Sequence, residues 1–357
     1  MTLDRPPPPS GIVGLKQIRI GSNVASDLET ANRPPRSGGA EKMAMFAAKL
    51  LVTGVCFWYV SRQIDLKQVL SAIPRLDFGW AGLAILLVML ELPVAGLRWW
   101  NIIDACGIHY TRITPVVVIA VSAIGIFFGQ VLPSIAGEGV RVWLLVRLGS
   151  DWRNTVKSVV IDRGVGVGLL VAMGFVILLL PSSLTALGGY RDAALVVYGG
   201  LLLAGSFGLL FAPSIVLPFA RWRYSRWIAT LTVDARRVLL GQHGPAILAS
   251  GCIIHVLTIV VIWSLGRAQG LELPLPDAAV LFLVMVGVTL VPISISGWGL
   301  RELAVVSLLG HHGVSPEKAL LFSVCFGLTL AIGSLPGAVV WLFYSFAPSQ
   351  HSAERGG

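Results

Sequence analysis

Apolar runs long enough to cross a bilayer recur along almost the whole of this 357-residue chain, at about 46–61, 79–97, 157–180, 193–219, 246–265 and 318–345. A helix needs roughly 20 such residues to span the hydrocarbon. Hydrophobic residues make up 55% of the chain and charged ones only 13%, against about 25% charged in soluble domains. A water-facing fold could not hide that much apolar surface. Lipid is the solvent this chain expects, and the fold class is an all-α polytopic membrane protein. The formal net charge of +9 sits on residues flanking the apolar runs, which suits an anionic membrane surface and not nucleic acid.

Two further apolar stretches, 115–133 and 278–293, behave differently. The first runs into SIAGEGVR at 134–141, the second into SISGWGLR at 294–301. Each octet is followed by a short helical pattern that cannot cross a bilayer. Each pair therefore reads as a re-entrant hairpin, whose irregular backbone must be covered by protein or face a wet cavity. Positive charge supports this. With both stretches re-entrant, the tail (Lys16, Arg19, Arg33, Arg36, Lys42), the segment holding Arg147, Arg153 and Lys157, and the Arg221–Arg237 loop all fall inside. Both termini are then cytoplasmic, and the membrane is the cell's inner membrane.

The element order becomes span, span, hairpin, span, twice over. Repeat 1 covers about 46–180 and repeat 2 about 193–345, oppositely oriented. Such inverted repeats are a common transporter plan. Gly107-Ile108 and Gly270-Leu271 precede the two hairpins in similar places. Residues 1–42, with PPPP, RPPR and SGG, read as a disordered tail, 43–345 as the transmembrane domain and 346–357 as a short C-terminal tail.

Ionisable residues near bilayer depth are expensive, about 2.5–3.5 kcal/mol each on insertion scales, and persist where they pair or line a cavity. Here they are Glu138, Arg141, Asp162, Arg163, Arg301 and Glu302. Arg141 and Arg301 are expected at the starts of short helices, where free N–H groups attract anions. Gly137, Gly139, Gly297 and Gly299 are expected to let backbone approach a ligand closely. Together these residues would hold a phosphate-bearing headgroup, since guanidinium forks bind phosphate in a bidentate way. The competing reading makes Glu138–Arg141 and Arg301–Glu302 local ties, Asp162–Arg163 an interfacial pair, and the glycines helix-packing residues. Arg98 beside Trp99 reads as an interfacial anchor, and His255 as a buried, hydrogen-bonded histidine. Cys56, Cys106, Cys252 and Cys325 have no metal-like spacing. Neither metal nor cofactor is expected.

The stretches LPSIAGEGVRVWLLVRLG, VVIDRGVGVGLL and VPISISGWGLRELAVVSLLGHHGVSPEKAL resemble the lysylphosphatidylglycerol synthase transmembrane-region family. Its G-E-x-x-R is matched by Gly137, Glu138 and Arg141, and its G-W-G-x-R-E by Gly297, Trp298, Gly299, Arg301 and Glu302. Asp162-Arg163 stands where the family more usually has Glu-Arg, and VGVG at 165–168 lacks the acidic residue common one turn later. The resemblance implies a flippase-like domain that moves or binds anionic phospholipids or polyprenyl-linked lipids. Some relatives carry a soluble aminoacyl-transferase domain, which is not expected here, and neither is lysyl transfer. The expected function is a non-enzymatic lipid translocase. The alternatives are a membrane-embedded transferase of headgroups or lipid-linked sugars, and a scaffold for a partner synthase or glycosyltransferase.

Overall fold

The computed structural model describes residue 43 and residues 76–108, 111–132, 134–180, 191–216, 223–289, 300–310 and 313–344. The chain divides into two compact units, Met1–Ala48 and Lys49–Gly357; all that follows concerns the second. The expected first span, 46–61, lies outside the described residues.

The described secondary structure is helical. In chain order the helices are α1 (Phe78–Ala105), α2 (Pro115–Val131), α3 (Ser134–Arg147), α4 (Trp152–Leu179), α5 (Arg191–Val216), α6 (Arg223–Leu240), α7 (Gly244–Ala268), α8 (Leu275–Thr289), α9 (Leu300–Gly310), α10 (Pro316–Gly333) and α11 (Leu335–Tyr344). Five segments are long and apolar enough to cross a membrane: Phe78–Ala105, Trp152–Leu179, Arg191–Phe211, Gly244–Ala268 and Pro316–Phe343. They correspond to five of the six expected spans. The last is broken at Ser334 between α10 and α11, where Gly333 and Pro336 weaken the helix. The protein is a multi-pass, all-α membrane protein.

The 17 residues of α2 rise only about 26 Å, short of the roughly 30 Å hydrocarbon core, and the described part of α8, 15 residues, rises about 22 Å. Each folds back onto its successor: α2 packs on α3 and α8 on α9. The Arg221–Arg237 stretch, expected as a loop, is instead mostly the amphipathic helix α6. Ala229 and Val238 are buried while Trp227, Ile228 and Val233 are exposed. Asp234 on it accepts from Lys157 of α4 at 2.6 Å.

Helix α1 packs most extensively on α7. The two are antiparallel and tied at both ends. Asp77 N–H, at the start of α1, donates to the Ala268 carbonyl at the end of α7. His243, before α7, lies 3.2 Å from Asp104 in the last turn of α1. Neighbours repeat around this pair: α10 packs on α1 as α4 packs on α7, and α11 on α2 as α8 on α4. The positive-φ glycines among the described residues fall into two pairs. Gly107 (φ 71°) ends α1 and Gly270 (φ 65°) ends α7, while Gly149 (φ 104°) follows α3 and Gly313 (φ 73°) follows α9. At all four the next residue's N–H reaches back five positions, to Ile103, Gly266, Leu145 and Leu309. This is the Schellman closure that favours glycine.

Between lipid-solvated helices, close approach replaces the hydrophobic effect as the packing force. A Cβ at Gly96 would stand 2.5 Å from Ile119 Cα, and one at Gly337 only 2.1 Å from the Ala123 carbonyl oxygen. Two apolar cores result. One gathers around Phe282 and Phe322, the other around Trp99, Phe127 and Phe128.

Candidate functional site: a charged cavity beside an apolar groove

The octet at 134–141 is not a break. Helix α3 begins at Ser134, so Gly137, Glu138 and Arg141 lie inside it, and Arg141 stands two turns from its start. Gly137 does not face a ligand. A Cβ there would meet the Gly125 carbonyl oxygen at 2.5 Å and Gly129 N at 2.7 Å, so this glycine lets α3 cross α2. Gly139 has open space around it. Gly297 and Gly299 lie outside the described residues. Arg301 is the second described residue of α9, and the residues immediately before Leu300 lie outside the described ones.

Spacing of three residues puts Glu138 and Arg141 on one face of α3, and that face meets α1 and α4. Arg141 donates to Glu138 Oε2 at 2.8 Å. It also donates through both terminal nitrogens to Asp162 Oδ2 of α4, at 3.0 Å each. Asp162 Oδ1 accepts from Arg98 Nε of α1 at 2.8 Å. Arg163 pairs with Glu138. Asp162 and Arg163, neighbours in sequence, thus take different partners. The expected Asp162–Arg163 pair is therefore not formed: the two side chains leave the helix about 100° apart, Asp162 to meet Arg98 and Arg141 and Arg163 to meet Glu138. Three guanidiniums, from Arg98, Arg141 and Arg163, face two carboxylates, from Glu138 and Asp162. Among the described residues of this network, one positive charge is in excess.

The interfacial reading of Arg98-Trp99 fails as well. Trp99 is fully buried. Its ring lies under the Arg141 guanidinium, 4.0 Å from centroid to Cζ, and its indole N–H donates to Ser158 Oγ at 3.2 Å. A desolvated cation–π contact of this kind contributes about 2 kcal/mol. His255 is buried, with Nε2 3.1 Å from the Gly166 carbonyl, as expected from sequence.

The network borders a cavity of about 200 Å³, whose polar lining is Glu91, Arg98, Ser122, Gln130, Arg141, Asp162 and Arg163. Two buried donors on its wall, Arg141 Nε and Ser122 Oγ, have no hydrogen-bond partner among the described residues. Orphaned buried donors cost about 1–3 kcal/mol each, so these two groups suit a ligand that accepts. A second, larger groove of about 950 Å³ runs between α4, α5 and α6, lined almost wholly by apolar side chains and glycines. Gly164 and Gly168 on α4 and Gly205 and Gly208 on α5 border it, and none has an atom within 4 Å of its missing Cβ. These glycines leave room instead of closing a contact. Arg163 lines both the cavity and the groove.

The other two candidates form a separate cluster. Arg301 donates to Glu302 Oε1 at 3.0 Å and to Ser323 Oγ of α10 at 3.1 Å, and Ser323 donates to the same carboxylate at 3.0 Å. Neither residue is among the described lining of the 200 Å³ cavity.

Residues 46–337 match the family described as the lysylphosphatidylglycerol synthase TM region. The chain belongs to that family. No curated protein and no solved structure gives a significant match. For this lysylphosphatidylglycerol synthase TM-region protein, membership places the charged cavity in a lipid-related membrane domain. The match runs from the expected first span into α11 and includes every element that contributes to the cavity. Arg98 and Glu91 are the charged lining residues that sequence reasoning missed, along with the polar Ser122 and Gln130. The signal available for the two charged ones was their position: both stand in one long apolar helix, at depths where a charge needs a purpose.

Proposed function

We propose that the protein is a non-enzymatic lipid translocase of the inner membrane. It takes the headgroup of an anionic phospholipid or polyprenyl-linked lipid into the charged cavity and lays the chains along the α4–α5–α6 groove. The observation that carries this reading is the double position of Arg163, on the wall of a charged chamber and of an apolar one. An amphiphile is the ligand chemistry that fits both. The excess positive charge and the unpartnered Arg141 Nε and Ser122 Oγ suit a phosphate oxygen, which accepts from several donors at once. Lipid-bound apolar chains need only space and dry walls, which Gly168 and Gly205 leave open.

The two halves act as inverted repeats that expose the site to alternate leaflets. The antiparallel α1–α7 pair, the matched glycine closures and the mirrored neighbours support that arrangement. Arg301 and Glu302 hold the place in the second half that Arg141 and Glu138 hold in the first. In this reading they serve the same ligand as it approaches from the other leaflet. Both termini face the cytoplasm, as the basic segments require.

The test is transbilayer movement of fluorescent phosphatidylglycerol in proteoliposomes, read by quenching of the outer leaflet. Wild type should speed it well above protein-free vesicles and above fluorescent phosphatidylcholine. The variant Gly168→Leu with Gly205→Leu, which fills the groove, should fall at least about tenfold, the equivalent of 1.4 kcal/mol. Wild-type rates equal to those of empty vesicles would remove the translocase.

A further inference from the structure

Glu91 sits midway along α1, two turns before Arg98, and its carboxyl lines the same 200 Å³ cavity as the arginines. It takes no part in the ion-pair network. Its one hydrogen bond among the described residues is to Thr258 of α7, whose Oγ1 lies 2.9 Å from Glu91 Oε1. That hydroxyl also lies 2.9 Å from the Ile254 carbonyl oxygen. A threonine hydroxyl has one proton. It cannot donate to the carboxylate and to the carbonyl together. Both contacts are satisfied at once only when Glu91 is protonated, donating to Thr258 Oγ1, which donates onward to Ile254. When Glu91 is ionised, the hydroxyl proton turns to the carboxylate and the Ile254 contact is given up. The pair therefore has two arrangements that differ by one proton.

Charge balance says what selects between them. The network carries one positive charge in excess. An ionised Glu91 makes the cavity neutral when it is empty of anion. A bound anionic headgroup makes it neutral only when Glu91 is protonated. Uncompensated charge at this depth is costly, so each of the two anions disfavours the other. Resting on the lipid reading above, we infer that Glu91 is a proton-binding site coupled to headgroup binding: one proton passes from water to the Glu91 carboxylate as one anionic lipid enters, and returns as it leaves. Transport is then an electroneutral proton–lipid symport, which a pH gradient drives and a membrane potential does not.

Other titratable and charged groups near Glu91 among the described residues are accounted for. Arg98 of α1, Arg141 of α3, and Asp162 and Arg163 of α4 are committed to the network. From α7, His255 is turned to the Gly166 carbonyl of α4. The cavity's polar residues from α2 are Ser122 and Gln130, and α10 contributes Leu330, none of which titrates.

The experiment is calorimetric titration of the purified full chain with dihexanoyl phosphatidylglycerol, and with dihexanoyl phosphatidylcholine as control. It is run in buffers of different ionisation enthalpy between about pH 5 and pH 9, so that buffer dependence counts protons. Wild type should take up close to one proton per anionic lipid within part of that range. Its affinity there should fall by up to about tenfold per pH unit as pH rises. Glu91→Gln should bind with no proton uptake and a flat pH profile. His255→Gln should keep the wild-type uptake. Wild-type binding without uptake at any pH overturns the coupling and leaves the lipid site standing. Uptake that survives Glu91→Gln overturns the assignment to Glu91. Failure of wild type to bind the anionic lipid overturns the lipid reading itself, and the coupling with it.

Discussion

Among the described residues, Asp162 is the carboxylate that pairs with two arginines from helices other than its own, and replacing it with asparagine removes the charge without changing the shape. The residue is 2% exposed. It accepts from Arg98 at 2.8 Å and from two nitrogens of Arg141 at 3.0 Å. Breaking a buried pair by removing one partner costs about 3–5 kcal/mol, because the remaining charge is stranded. Two features place this case at the low end. Arg141 keeps Glu138, and an asparagine carbonyl still accepts one N–H. Arg98 keeps no carboxylate among the described residues. The expected loss is therefore about 3 kcal/mol, or a fall in Tm of roughly 6–12 °C at 2–4 °C per kcal/mol. Thermal unfolding in mild detergent, followed by tryptophan fluorescence, measures it. Arg98→Met added to Asp162→Asn should return at least about 1 kcal/mol, since it removes the stranded cation. A single variant within about 1 °C of wild type, or a double variant no better than the sum, would refute the claim that this carboxylate ties α1, α3 and α4 together.

Two further outcomes follow from contacts elsewhere. Gly96→Ala should destabilise by about 1–3 kcal/mol, because its Cβ would press on backbone at Ile119, whereas Gly208→Ala, with nothing within 4 Å, should be neutral or slightly stabilising in the same unfolding assay. Lys157→Met should loosen α6 locally by about 1 kcal/mol, read as roughly fivefold faster hydrogen exchange in Arg223–Leu240 with little change in Tm.

Apolar run lengths were enough to place five spans and two short hairpin arms, because the bilayer imposes length directly on sequence. The charged cluster was only half legible. Glu138, Arg141, Asp162 and Arg163 stood out as charges in apolar surroundings, but their partners were misjudged. Counting hydropathy ended the second span at Leu97, so Arg98-Trp99 looked like an interfacial anchor. Helix α1 in fact continues to Ala105, which draws Arg98 and Trp99 into the protein. An anchor and a buried arginine share the same local pattern, and only tertiary packing separates them. Glu91 escaped notice because one carboxylate hardly lowers the mean of a long apolar window. The α6 segment was read for its charge sum, although its apolar positions already followed a helical period. The glycines of the first octet misled for a different reason. Composition reports that backbone comes close to something there, not whether the neighbour is a ligand or, as at Gly137, another helix.

The pinning of α1 to α7 at both ends has a mechanical meaning. Two rods fastened head to tail can neither slide past one another nor splay, so they form a stationary keel. Glu91, Arg98 and Thr258 are riveted to that keel and stay at one depth. In the proposed translocase, the parts left to open and shut are lighter ones around it, such as the α5–α6 flank, and water and lipid would be brought to a fixed post.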